Sequence, residues 1–309
     1  ADLGFYDLRV SETREAQVAL ARRYGVGAFC YYHYWFGESR RLLQRPFEEV
    51  LNSGQPDFPF MLCWANETWA GVWHGLAGQT LIEQRYPGRS DQEAHFEVLL
   101  RVFRDSRYLR VQDKPVFMIY RPSGLPDTKA TLDVFRDMAL AAGLPGLYLI
   151  AEDSDPYWNC REQGFDAFVN IPSLQRRRTW VPWTQPLAKI QSRLQDALGL
   201  PTVLNYERYV DYFVPEQAAN DAIPCVLPNW DNTPRSGSRG LVLQGATPAL
   251  FSKQLERALN RARARQSEDN LLFIKSWNEW AEGNHLEPNQ RHGHGYLEAV
   301  RAVLSNAAD

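Results

Sequence analysis

The sequence predicts an α/β fold, a (β/α)8 barrel of TIM type, and three observations carry that prediction. Short apolar runs alternate with amphipathic segments along the chain. The runs are nearly continuous in apolar residues, as strands buried on both faces of a parallel sheet must be. No G-x-G-x-x-G or G-x-x-x-x-G-K-[ST] stretch occurs, although the open, doubly wound alternative would place one after an early strand.

The elements follow in order. SETREAQVALARRYG opens at Ser11, a residue type suited to N-cap a helix. GAFCYYHYWF, from Gly27, reads as the first strand. PFEEVLNSG is a short helix with Pro46 in the favoured first turn, and FPFMLCWANE, from Phe58, is the next strand. A helical stretch around 91–104 leads to PVFMIYR from Pro115, then to the helix TLDVFRDMALAAG, which Gly143 stops. LYLIAED from Leu147, FDAFVN from Phe165, IPCVLPNWD from Ile223 and LLFIKSWNEW from Leu271 complete seven strands. A closed barrel needs eight. The chain begins with alanine, so we expect one barrel domain over 1–309, cut from a longer protein. Its first strand should lie upstream, or be poorly replaced by residues 1–9.

At 309 residues and 44% hydrophobic content the chain can fill a full core. A net charge of -3 gives no reason to expect nucleic acid or an anionic membrane as partner. No apolar run reaches the ~18 residues needed to span a bilayer, and no signal peptide opens the chain, so a cytoplasmic, bacterial setting is expected. Cys30, Cys63, Cys160 and Cys225 show no C-x-x-C spacing. They read as buried free thiols of a reducing compartment, neither disulfides nor zinc ligands. No metal or cofactor is expected.

Ten tryptophans and fourteen tyrosines exceed what a core requires, and they gather where strands end. The Gly27 run ends in Tyr32, His33, Tyr34 and Trp35, and the Phe58 run in Trp64, Asn66, Glu67 and Trp69. Tyr120 and Arg121, then Glu152 and Asp153, then Asn170 close the next three. Trp230, Asp231 and Asn232 follow the Ile223 run; Trp277, Asn278, Glu279 and Glu282 follow the last. In such a barrel the active site lies at these C-terminal strand ends. Aromatic faces stack on the C–H faces of sugars while amides, carboxylates and guanidinium groups satisfy the hydroxyls. Singly, each tryptophan is more often packing than ligand contact, and His33 more often a satisfied polar group. Strand alternation also sends about half of the FCYY run into the helical layer. Only the repetition argues for a groove.

The densest stretch is SWNEWAEGNHLEP, 276–288. Glu279 and Glu282 stand three apart, so a helical turn would bring both carboxylates to one face. Glycosidic chemistry needs such a pair, one group giving a proton and the other ionised. Like charge and partial burial against Trp277 and Trp280 would separate their pKa values. A bare E-x-x-E is more often a loop pair held by arginine; the aromatic context argues for more. Other motifs are weaker. Asp153 and Asp155 give a D-x-D, and His292 and His294 lack a third metal ligand. RQSEDN at 265–270 reads as a solvated loop, and QRRRT at 175–179 as an exposed basic face. NWDNTPRSGSRG, 229–240, has the Pro and Gly content of a shaped lid, from which Asp231 and Arg235 could meet substrate.

The SWNEWAEGNHLEP segment resembles the active-site run of glycoside hydrolase family 99, the endo-α-mannosidases. The whole chain resembles more closely the WbsX-like domain of bacterial O-antigen and surface-polysaccharide clusters, often labelled a glycosyltransferase. ADLGFYDLR, FCYYHYWF, FPFMLCWANETW, LIEQRY, KPVFMIYRP, NWDNTPR and the final segment through GYLEA carry that likeness. The resemblance implies a stretch ahead of ADLGFYDLR that includes a first strand. It also implies retention of anomeric configuration through a 1,2-anhydro sugar, with Glu279 matching the base and Glu282 the general acid.

The expectation is therefore an enzyme that cleaves or transfers a glycosidic linkage in a bacterial surface polysaccharide, as a retaining endo-acting hydrolase or transglycosylase. A glycosyltransferase using a nucleotide sugar and a non-catalytic glycan-binding domain are the alternatives. His33, Tyr34, Trp35, Trp64, Asn66, Glu67, Trp69, Tyr120, Arg121, Glu152, Trp230, Asp231, Arg235, Trp277 and Asn278 are the expected substrate contacts.

Overall fold

Each of the seven apolar runs forms a strand in the computed structural model, which describes residues 3–71, 79–171, 198–267 and 269–307. The strands are β1 (Phe29–His33), β2 (Phe60–Trp64), β3 (Lys114–Ile119), β4 (Tyr148–Asp153), β5 (Ala167–Asn170), β6 (Ala222–Val226) and β7 (Phe273–Ile274). They pair in chain order, every neighbour parallel. An order that never reverses is barrel winding, since a doubly wound sheet would switch direction partway. Among the described residues the only strand added to this path is Arg110–Val111, which turns back antiparallel on β3. Among the described residues β1 and β7 do not pair with each other. The sheet nevertheless curls far enough that the Phe29 ring lies 5.0 Å from that of Trp277, just beyond β7. Among the described residues the barrel sheet has seven parallel strands, one fewer than a closed barrel.

The helices are α1 (Ser11–Arg23), α2 (Arg45–Ser53), α3 (Arg89–Phe103), α4 (Thr128–Ala141), α5 (Tyr206–Phe213), α6 (Pro248–Ala264) and α7 (Gly295–Asn306), and they alternate with the strands except between β4 and β5, which a 3-10 turn, Cys160–Gln163, connects. Ser11 is not the cap expected of it. It is the first helical residue, the cap position falls on Val10, and the Ser11 hydroxyl turns to Glu12 instead. Asp127 caps α4 in the ordinary way, accepting from the Ala130 N–H at 2.9 Å. Gly143 ends that helix at φ +81°, as its position in the sequence predicts. QRRRT lies outside the described residues.

Strand alternation decides what reaches the barrel interior. On β1, Tyr31 and His33 face the helical layer: the Tyr31 ring lies 5.3 Å from Phe47 of α2, and His33 meets His95 of α3. Cys30 and Tyr32 take the opposite face, and both are exposed. Cys30 thus departs from the expected buried thiol, because it sits on a strand with one unpaired edge; Cys63, Cys160 and Cys225 are buried and free as expected. The helical-layer core is aromatic, with Phe96, Phe103, Phe117 and Phe135 each fully enclosed. Burying each such ring contributes about 1.5–3 kcal/mol. A second core gathers Tyr206, Phe251, Tyr296 and Leu297 from α5, α6 and α7.

Candidate active site

The final motif does not continue as a helix. After β7 the chain makes a two-residue antiparallel bridge, Asn278–Glu279 against Asn284–His285, closed by the single 3-10 turn Trp280–Glu282. Glu279 stands at one end of that turn and Glu282 at the other. Arg235 joins them: one guanidinium nitrogen donates to Glu279 Oε1 at 2.9 Å and the other to Glu282 Oε1 at 3.2 Å. The arginine comes from the predicted lid, on a short helical turn Thr233–Ser236 whose start is fixed by Asp231. The Asp231 carboxylate accepts from the backbone N–H of Thr233 at 3.0 Å and from its hydroxyl.

Two devices keep this lid against the turn. The Asp231 N–H donates to the Glu282 carbonyl at 2.8 Å. Gly283, at φ +53°, lets the two backbones meet. Asn284 adds a third tie, its amide donating to the carbonyls of Asn229 at 2.8 Å and Lys275 at 2.9 Å. Asn229 returns the grip, accepting from the His285 N–H at 2.9 Å. Beyond the lid, its backbone is bridged to the parallel ribbon formed by Thr202–Asn205 and Leu241–Gln244.

Tyr34 lies within reach of the Glu279 charge and packs edge-on against Trp69 at 5.2 Å. Burial first, and the Glu279 charge second, push its phenol up to about 12, so it is a donor at neutral pH. Glu67 and Arg121 pair across the β2 and β3 ends, both about half exposed. Deeper in the mouth, Lys275 reaches Glu152 at 3.7 Å and lies 5.8 Å from the centre of the Tyr120 ring. Burial works against the Lys275 ammonium, yet Glu152, Tyr120, Cys225 and Glu282 hold its pKa above the usual lysine range. Burial lifts the Glu152 carboxyl above its ordinary value, with Lys275 and then Arg121 opposing. The Glu279 carboxyl is also raised. Burial is the largest cause, Arg235 pulls it down, Glu282 pushes it up and Lys275 pulls down again.

The expected contacts therefore divide. Tyr34, Glu67, Trp69, Tyr120, Arg121, Glu152, Asp231 and Arg235 connect to Glu279 and Glu282 through contacts and charge effects at the strand ends. His33, Trp35 and Trp64 lie instead in the helical layer, 6%, 2% and 3% exposed. There His33 and His95 face each other Nε2 to Nε2 at 2.8 Å, with the Trp35 ring stacked 4.7 Å from His95. The parity of β1 puts His33 and Trp35 on the Tyr31 face. Asn66 is buried, its amide spent on Tyr86, the Arg121 carbonyl and the Arg121 N–H. Trp277 packs on Phe29 and Trp230 against the second core, both half-buried. Asn278 donates to the Tyr6 hydroxyl at 3.0 Å.

Sequence reasoning missed Tyr6, Lys275 and Glu287. Glu287 is 1% exposed and accepts from Tyr6 at 3.0 Å, Gln17 at 2.7 Å and Trp280 at 2.7 Å. These neutral donors satisfy a buried carboxylate and tie the N-terminal segment to the motif. Burial first, then the Glu287 charge against the Asn278 bond, lift the Tyr6 phenol to about 12. The legible signal for Lys275 was a charge ending an apolar strand. Among the described residues no three His, Cys, Asp or Glu side chains gather as metal ligands, and no helix is long and apolar enough to cross a membrane.

Known proteins agree with this architecture. The chain is 35% identical over 312 residues to the "Uncharacterized protein WxcX" of Xanthomonas campestris pv. campestris, in each of two strains. The match covers 100% of this chain and 44% of the relative, so the chain spans less than half the length of the curated proteins it matches. Among solved structures, a glycoside hydrolase-like protein superposes with TM-score 0.62 over 97% of this chain and 88% of its own, at 14% identity. The GH99 endo-alpha-mannosidase from Bacteroides thetaiotaomicron superposes with TM-score 0.60 over 99% and 82%, also at 14% identity. At that identity the likeness is one of fold. The family described as Glycosyltransferase WbsX matches residues 1–300. With that match over nearly its whole length, the chain belongs to the Glycosyltransferase WbsX family.

Proposed function

We propose that this domain acts on a glycosidic linkage of a bacterial surface polysaccharide, as a retaining hydrolase or transglycosylase in which Glu279 and Glu282 divide the proton work. One observation carries the reading. Both carboxylates lie within a hydrogen bond of a single guanidinium, that of Arg235, at the strand-end face of the barrel. Two carboxyl groups so placed can address one bond from two sides.

In this reading Glu279 is the base. Its raised pKa makes it the better acceptor for the proton of a sugar 2-hydroxyl. The 2-oxygen attacks the anomeric carbon, closing a 1,2-anhydro ring. The bond from that carbon to the leaving oxygen breaks, and its electron pair takes the proton that Glu282 carries. Water, or an acceptor sugar hydroxyl, then opens the ring; Glu282 takes its proton and Glu279 returns one to the 2-oxygen. The leaving oxygen replaces Glu282 as acceptor of the longer of the two Arg235 bonds, which brings it beside this carboxyl. Tyr34, Glu67, Arg121 and the Glu152–Lys275 pair surround the sugar with donors and acceptors.

The test is turnover of a panel of bacterial surface polysaccharides, without nucleotide or added metal, by the wild type and by Glu282→Gln. The wild type should shorten a glycan that the variant binds intact, with the rate on unactivated linkages falling about 10² to 10⁴-fold. Full activity in the variant would sink the assignment. The family's description favours a second reading, transfer from a nucleotide sugar. If nothing is cleaved but a nucleotide-diphosphate sugar binds, that reading replaces ours.

A further inference from the structure

We propose that Trp280 is a sugar platform: its open face takes one pyranose ring of the glycan by its C–H face, at a subsite beside the carboxylate pair. The inference rests on the reading of Glu279 and Glu282 as acting on a glycosidic linkage.

The case is one of restraint without cover. Trp280 is 39% exposed, in a turn whose two ends are the glutamates. One face of its indole is already occupied, because the His285 ring stacks on it with centroids 3.8 Å apart and planes at 15°. Its N–H edge is locked too, donating to Glu287 Oε2 at 2.7 Å. Glu287 is itself immobile, buried and held by Tyr6 and Gln17. Burial keeps His285 down to about 4, so a neutral imidazole backs the indole at working pH. With one face stacked and the N–H edge bonded, the residue still keeps 39% of its surface open to solvent.

A large ring left half in water forgoes about 25 cal/mol for each Å² not covered, so it gains from a flat apolar partner. A ring already fixed also loses little side-chain freedom when that partner arrives. The other motif tryptophan, Trp277, is engaged differently, packed against Phe29 and partly buried on the hydrophobic core. Phe5, next in sequence to the Tyr6 that bonds Asn278 and Glu287, is fully exposed. Pyranoses with an uninterrupted C–H face should be preferred at Trp280.

The experiment uses 5-fluorotryptophan protein carrying Glu282→Gln, so that no linkage is broken, with the Trp280 resonance assigned through Trp280→Phe. The probes are size-graded fragments of bacterial O-polysaccharides, disaccharide to octasaccharide. The Trp280 resonance should move saturably with the longer fragments. Trp280→Ala should bind octasaccharide roughly tenfold more weakly and disaccharide unchanged, with Trp280→Phe in between. If other tryptophan resonances move and that of Trp280 does not, or Trp280→Ala binds every length like its parent, the platform is refuted while glycan binding stands. If no fragment moves any resonance, the glycan reading and the platform fall together.

Discussion

Gly283 lies so close to Asp231 that a β-carbon on it would stand 2.9 Å from the Asp231 backbone nitrogen and 3.0 Å from its carbonyl oxygen. This contact sets the lid's height over the glutamates, because Arg235 hangs four residues beyond Asp231.

Gly283→Ala should therefore act in two ways. The clash is with backbone, which cannot swing aside, and φ +53° adds the left-handed penalty. Together these should cost about 1–3 kcal/mol of stability. Lifting the lid also withdraws Arg235, and kcat/KM should fall by about tenfold or more. Urea unfolding and glycan turnover check both effects. Wild-type values in each would show that the close approach is incidental.

Arg235→Ala tests the electrostatics. Arg235 opposes the burial and the Glu282 charge that raise the Glu279 carboxyl, so its loss lets that pKa rise further. A base works only when ionised. The acidic limb of the kcat/KM profile should therefore move to higher pH. A limb that stays in place would remove Glu279 from the role of base.

The His33–His95 contact gives a stability prediction with a definite sign. Burial lowers both imidazoles, His33 to about 3, with Arg41 adding to the effect on each. In the unfolded chain a histidine titrates near ~6.5. Above that value both states are neutral and the stability is whole. As pH falls toward about 3 the unfolded chain takes up protons that the fold refuses. Stability should then drop by up to about 1.4 kcal/mol per pH unit for each histidine. Unfolding free energies between pH 7 and 5 should show this slope, and His33→Gln with His95→Gln should flatten it. Equal slopes would mean that the pair protonates without penalty.

What the sequence revealed follows from what is local. Seven strands were legible because each is an unbroken apolar run, and runs such as FMLCW need no partner to be recognised. The turn holding Glu279 and Glu282 was legible because three-residue spacing is local too. Which face a strand-end aromatic takes is decided by parity counted from the first paired residue. Aromatic character alone could not distinguish Tyr34, in the mouth, from His33 and Trp35, behind it. His95 sits in a helix 62 residues from its partner His33, and Glu287 meets Tyr6 across 281 residues. Such pairings arise only when the chain closes. The Ser11 cap was misplaced because a serine beside a helix start serves equally as cap or as first residue.

Asn284 joins the carbonyls of Asn229 and Lys275, while Asp231 holds the carbonyl of Glu282. The segment that carries the guanidinium thus shares its fastenings with the turn that carries both acids. A sugar that pressed on this segment would therefore also load the Glu282 end of the turn, through the Asp231–Glu282 hydrogen bond.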